Sequence, residues 1–137
     1  MGDEASVRAA SVRSLLAAAA DEQPTIKVTG PTVIAFFPPV TKAELEKDLD
    51  LNCVLSDFQF FAAESRKAFK DTGIDFHEIY AKSFVIQIGD QKTLFRPGDG
   101  EMSVGYYFVS PGKSPRVEYG IDLDMEIAKE YFGNLGK

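Results

Sequence analysis

The chain has 137 residues, of which 45% are hydrophobic and 26% charged, and its formal net charge is -6. These values suit one folded domain that buries most of its apolar surface without staples. They argue against nucleic acid as a partner, because Lys67, Lys70, Lys92 and Arg116 are scattered over an acidic chain and make no basic stripe. Cys53 is the one cysteine, which rules out an internal disulfide framework, and no apolar run is long enough to span a bilayer.

In chain order, residues 1–24 are rich in good helix formers and predict an N-terminal helix or flexible arm ended by Pro24. Its "SVRSLLAAAADEQ" has too short an apolar core for a secretory signal. The compartment stays open: a soluble chain, cytoplasmic by default, or exported if a leader was trimmed ahead of Met1 and Gly2. A single domain is expected over 25–137. "TIKVTGPTVIAFF" is β-branched and aromatic, broken at Gly30 and Pro31. Its strongest strand, Thr32 to Phe37, is apolar enough to be covered on both faces.

That strand stops at Pro38 and Pro39, and a helix-start signal follows at once. Thr41 and Glu44 have the spacing of a capping box, in which a hydroxyl and a carboxylate satisfy two backbone amides reciprocally. Ser56 and Gln59 repeat the spacing and predict the start of a longer helix. Its Phe58, Phe61, Ala62, Ser65 and Phe69 form a stripe that should bury against Val33 to Phe37, with Gly73 closing it. Beyond Gly73 the period becomes two. "SFVIQI" and "TLF" flank the turn "GDQK", and "SVGYYFV" and "RVEYGI" flank "SPGKSP". A last helix is capped by Asp122 or Asp124 and lined by Leu123, Ile127, Ala128, Tyr131 and Leu135.

The order is that of a single α/β layer fold. A β-α-β unit, a β-hairpin and a closing helix resemble the thioredoxin-like family over residues 26–133. "TVIAFFPPVTKAELEKD" looks like that family's first core strand entering its redox helix. "GYYFVSPGKSPRVEYGIDLDMEIAKEYF" looks like its last two strands and final helix. The family's Cys-x-x-Cys would fall at Pro39 to Lys42, where no cysteine stands. Its cis-proline would precede the strand near Val104, where the chain reads "MSVGYY". The resemblance therefore implies the fold without thiol chemistry and without a cofactor.

The leading expectation is a redox-inactive binding or assembly module that contacts a protein or peptide through Pro38, Pro39, Val40, Thr41 and Val104, helped by residues 103–105. Ligands of α/β sheets gather at the carboxyl ends of strands, and two prolines there offer rigid apolar surface but no amide donors. Charges at Pro39 or Val40 should then leave the fold intact. The alternative is a single-thiol enzyme or redox sensor using Cys53, against the plainer expectation of a buried structural cysteine.

A second alternative is weak divalent-cation binding by Asp48, Asp50 and Asn52, which match the first, third and fifth positions of a calcium loop. Cys53 stands where such a loop needs glycine and Gln59 where it needs glutamate. His77, the one histidine, reads as a half-exposed strand residue sharing a face with Asp75. Most aromatics belong to the core, with Phe60 or Tyr106 as candidates for an exposed apolar patch. Nothing in the sequence speaks to the oligomeric state.

Overall fold

A strand with no polar side of its own must be covered twice, and the architecture follows from that demand. The computed structural model describes residues 23–133. The predicted N-terminal helix, apart from Gln23 and Pro24, lies outside the described residues, as does Leu135. The fold is mixed α/β, with seven strands in two sheets and three helices among the described residues. The elements are β1 Thr25–Lys27, β2 Thr32–Phe37, α1 Lys42–Lys47, α2 Leu49–Phe69, β3 Asp75–Tyr80, β4 Phe84–Ile88, β5 Gln91–Phe95, β6 Gly105–Ser110, β7 Lys113–Tyr119 and α3 Met125–Phe132. A short 3-10 turn, Gly100–Ser103, precedes β6.

The main sheet has the order β3-β2-β6-β7, with β3 parallel to β2 and with β6 and β7 successively antiparallel. A smaller sheet has the order β1-β4-β5. The break at Gly30 and Pro31 thus sends one apolar stretch into two sheets. All six side chains of β2 are buried. Val33, Ala35 and Phe37 pack with Leu55, Phe58, Ala62 and Phe69 of α2 and with Ala128 and Tyr131 of α3. Ile34 and Phe36 point the other way, into a cluster with Ile26, Phe84 and Ile86 of the small sheet. The main sheet is therefore sandwiched between helices and a second sheet, and alternation along β2 assigns its side chains to the two cores.

Several expectations need correction. The long helix starts at Leu49, not Ser56, because Asp48 caps it by accepting from the Leu51 amide at 3.0 Å. Ser56 and Gln59 sit inside the helix, where backbone amides already bond to the preceding turn. The stripe is Leu55, Phe58, Ala62, Ser65 and Phe69; Phe61 is half-buried beside exposed Phe60. The helix ends at Phe69, and Gly73 with φ 82° belongs to the following turn. Asp124, not Asp122, caps the last helix. Tyr106 is fully buried, its hydroxyl donating to the Ile121 carbonyl at 2.9 Å, so of the two aromatics only Phe60 is exposed.

Gly105, on β6, lies between β2 and β7, paired with Phe36 on one side and Tyr119 on the other. A methyl group there would lie 2.4 Å from the Glu118 carbonyl oxygen and 2.9 Å from the Tyr119 Cα, both backbone atoms of the neighbouring strand. Gly105→Ala is expected to destabilise the domain by about 1–3 kcal/mol, the usual cost of overpacking a rigid site. An unchanged denaturation midpoint would show that β7 is free to move away.

Burial also sets a pH limit. It raises the Tyr80 phenol above the ordinary tyrosine value of 10.0, reinforced by a hydrogen bond to Glu78, and it raises Tyr106 likewise, reinforced by the Asp122 charge. A phenol kept neutral in the fold contributes its full stability below 10.0, and that contribution declines above it as the unfolded chain loses protons first. The urea midpoint should therefore fall above about pH 10, with the ultraviolet tyrosine titration delayed relative to the unfolded chain. Superimposable titrations of folded and unfolded protein would contradict the burial of these phenols.

Candidate functional site

The corner after β2 is built by prolines and a cap. The Phe37 carbonyl accepts from the Ala81 amide at 3.0 Å, which holds the end of β2 to the chain leaving β3. Pro38 and Pro39 follow, half-buried, and supply no amide hydrogens. Thr41 then starts α1 with the expected capping box: its hydroxyl accepts from the Glu44 amide at 3.1 Å, while Glu44 Oε1 accepts from the Thr41 amide at 2.8 Å. Val40 is buried in the helix-side core, so it is a packing residue, and a charge there would be driven into apolar surroundings. The expectation that Val40 tolerates charge is overturned; of this stretch, Pro38, Pro39 and Thr41 reach the surface.

Around Pro38 the chain forms two hollows. One is an apolar groove of about 750 Å³ between the start of α2 and the 3-10 turn. Leu51 and Val54 form one wall, Met102 and Val104 another, and Tyr119 and Ile121 close it from the end of β7. Its residues include large apolar side chains that reach solvent: Val54 is 38% exposed, Tyr119 41% and Met102 51%. Val104, expected in the site, is buried at its base, and its carbonyl accepts from the Gly120 amide at 2.9 Å. The second hollow is a polar cleft of about 530 Å³ lined by Lys82, Ser83, Arg96 and Asp99 together with Gln23. Pro38, Gly100 and Ser103 line both.

The corner and Val104 were readable from the sequence, but Met102, Val54 and Tyr119 were missed. The signal available was Met102 within an otherwise polar loop. Nothing local marks Tyr119 as facing a groove. Among the described residues all peptide bonds are trans, including those around Val104.

The other candidates fare differently. Cys53 is exposed on α2, contrary to the expectation of a buried thiol, and its neighbour Val54 lines the groove. Asp48, Asp50 and Asn52 are the cap and first turn of α2, not a loop. At about 100° per residue, Asp50 points away from the side that Asp48 and Asn52, four positions apart, share, so the three do not converge on one ion. No group of three or more metal-capable His, Cys, Asp or Glu residues occurs among the described residues. His77 is half-buried on β3, opposite Ile34, while Glu78 faces α2. There Glu78 accepts from Tyr80, lies 3.8 Å from Arg66, and Gln59 donates to the Tyr80 hydroxyl at 3.2 Å. With Arg66 5.2 Å from the centre of the Phe76 ring, this cluster ties α2 to β3 and is accounted for by packing. Among the described residues no helix is long and apolar enough to cross a membrane.

Compared with models of protein families, with characterised proteins and with solved structures, the chain matches none.

Replacing Thr41 by Ala removes one half of the capping box and should cost about 1 kcal/mol. Chemical denaturation checks this, and an unchanged midpoint would mean that α1 contributes nothing to the cooperative unit.

Proposed function

We propose that the protein is a redox-inactive, thioredoxin-like binding module that receives an extended, apolar-bearing segment of a partner protein in the groove beside Pro38. The observation that carries this reading is the groove itself. Val54, Met102 and Tyr119 come from three separate elements and expose apolar surface around one concavity. Exposed apolar surface gathered in a concavity marks an interaction site, whereas single exposed apolar residues do not. Methionine suits such a wall, because its unbranched side chain adapts to varied partners.

The succession of β2, two helices, parallel β3, then the β6–β7 hairpin and α3 supports the thioredoxin-like part of the reading. The hairpin β4–β5, which joins β1 in the smaller sheet, is additional to it. Pro39, Val40, Thr41 and Lys42 stand where that family carries its two thiols. The groove lies at the same carboxyl end of β2, where loops and helix starts leave room for a ligand.

A second reading keeps Cys53 as a redox-responsive thiol, favoured by its exposure next to Val54 on the groove wall. Oxidation there would place a polar group beside the apolar wall and weaken partner binding.

The test is substitution within the groove. Met102→Asp and Val54→Asp alter exposed side chains, so the fold should survive while binding to peptides selected on the wild-type protein falls by at least about tenfold, the cost of placing a charge against an apolar ligand surface. Insulin reduction should stay at background. Undiminished peptide binding by both variants would remove the groove from the functional surface, and dithiol activity would overturn the redox-inactive reading. Peroxide treatment that weakens binding by the wild type but not by a Cys53→Ser variant would establish the thiol reading.

A further inference from the structure

The polar cleft on the far side of Pro38 says something about the ligand's charge. Lys82 stands on the loop between β3 and β4, and Arg96 on the loop after β5, so two cations reach one hollow from different parts of the chain. Both are exposed, and neither forms an ion pair among the described residues, although the chain carries 21 Asp and Glu against 15 Lys and Arg. Arg66, Lys67, Arg116 and Lys129 have carboxylates within 4 Å, whereas Lys27, Lys42, Lys47, Lys70, Lys92 and Lys113 likewise form no ion pair among the described residues, so what distinguishes Lys82 and Arg96 is that they line one hollow together. Asp99 lines the same cleft, so Lys82 and Arg96 against Asp99 leave one net positive charge. Gln23 and Ser83 add polar groups, held together by a hydrogen bond of 3.0 Å.

We infer that the cleft holds the carboxylate of an Asp or Glu side chain in the same extended segment whose apolar side chains fill the groove. This rests on the groove reading of the preceding section. The two hollows share Pro38, Gly100 and Ser103, so one chain crossing Pro38 enters both. Alternate residues of an extended segment face the same side, which lets an apolar anchor and an acidic residue a few positions away reach the two hollows together. Guanidinium geometry matches a carboxylate through paired hydrogen bonds, and the lysine adds a point charge. A single negative charge balances the cleft, whereas a doubly charged phosphate overshoots it and meets Asp99. A strongly acidic segment is disfavoured in turn by the overall charge of -6. Glu101 lines the groove, so the ligand's carboxylate belongs on the cleft side of Pro38 and its apolar anchor in the groove.

The test begins by panning a random peptide phage library on the whole chain. Recovered sequences are remade as fluorescein-labelled peptides for anisotropy measurements. They should carry Asp or Glu within a few residues of an aliphatic or aromatic anchor. Lys82→Ala combined with Arg96→Ala changes only exposed side chains, and circular dichroism checks that the fold is kept. That double variant should bind the peptides about tenfold more weakly, the scale of one charge-assisted contact. Replacing the peptide's acidic residue by Ala should weaken wild-type binding by the same factor and leave the double variant unaffected. Peptides that lose binding with Met102→Asp but show neither acidic enrichment nor dependence on Lys82 and Arg96 would overturn this inference and leave the groove reading standing. Phosphoserine peptides binding more tightly than their glutamate counterparts would overturn the choice of a carboxylate. Recovery of no peptide whose binding depends on Met102 would overturn the groove reading and this inference with it.

Discussion

Everything in this molecule is arranged around the double burial of β2. Six consecutive side chains have no contact with water to speak of, so each face of the strand requires its own covering layer. Helices α2 and α3 cover one face and the β1-β4-β5 sheet covers the other. Burying a phenylalanine side chain contributes about 1.5–3 kcal/mol, so Phe36 and Phe37, one on each face, bind the two layers to a common strand. Neither layer has a reason to sit where it does without that strand between them.

The same constraint creates the corner. A strand buried on both sides emerges where the covering layers end, and its next residues must turn without leaving backbone groups unsatisfied. Proline answers this at Pro38 and Pro39 because it carries no amide hydrogen, and Val40 returns at once to the core to anchor the turn. The exposed part of the corner is therefore narrow. It consists of rigid rings held between a buried strand and a capped helix, a good edge for two hollows to share.

Gly105 connects this core to the groove. Without a Cβ at that position, the backbone of β7 packs closely against β6 and the Phe36 ring of β2 fits beside it, and Tyr119 and Val104 line the same groove. Packing behind the sheet thus decides where the groove's end wall stands. The polar cleft has another origin, in loops that follow β3 and β5, and meets the groove only because both loops close over the end of β2.

What the sequence determined by itself was local. The apolar run 32–37, the Thr41 and Glu44 reciprocal cap, the turns at Gly89 and Gly112, and the alternation that separates His77 from Glu78 all depend on neighbours in the chain, and all are present as read. Where two local signals competed, only the tertiary structure decided. Asp48 and Ser56 both carry cap chemistry, and α2 starts at Leu49, capped by Asp48, because the earlier start brings Leu51 and Leu55 onto the helix-side core. Cys53 then lies on the exposed side of the helix and Phe61 stays half-buried beside the stripe, and the eight-residue shift of the cap from Ser56 to Asp48 follows from burial and not from the cap residue alone. The groove was legible in part, through the prolines and Val104. Val54, Lys82, Tyr119 and the β5–β6 connection that carries Arg96 and Met102 lie far apart in sequence, and only the closing of the loops over the end of β2 brings them to one surface.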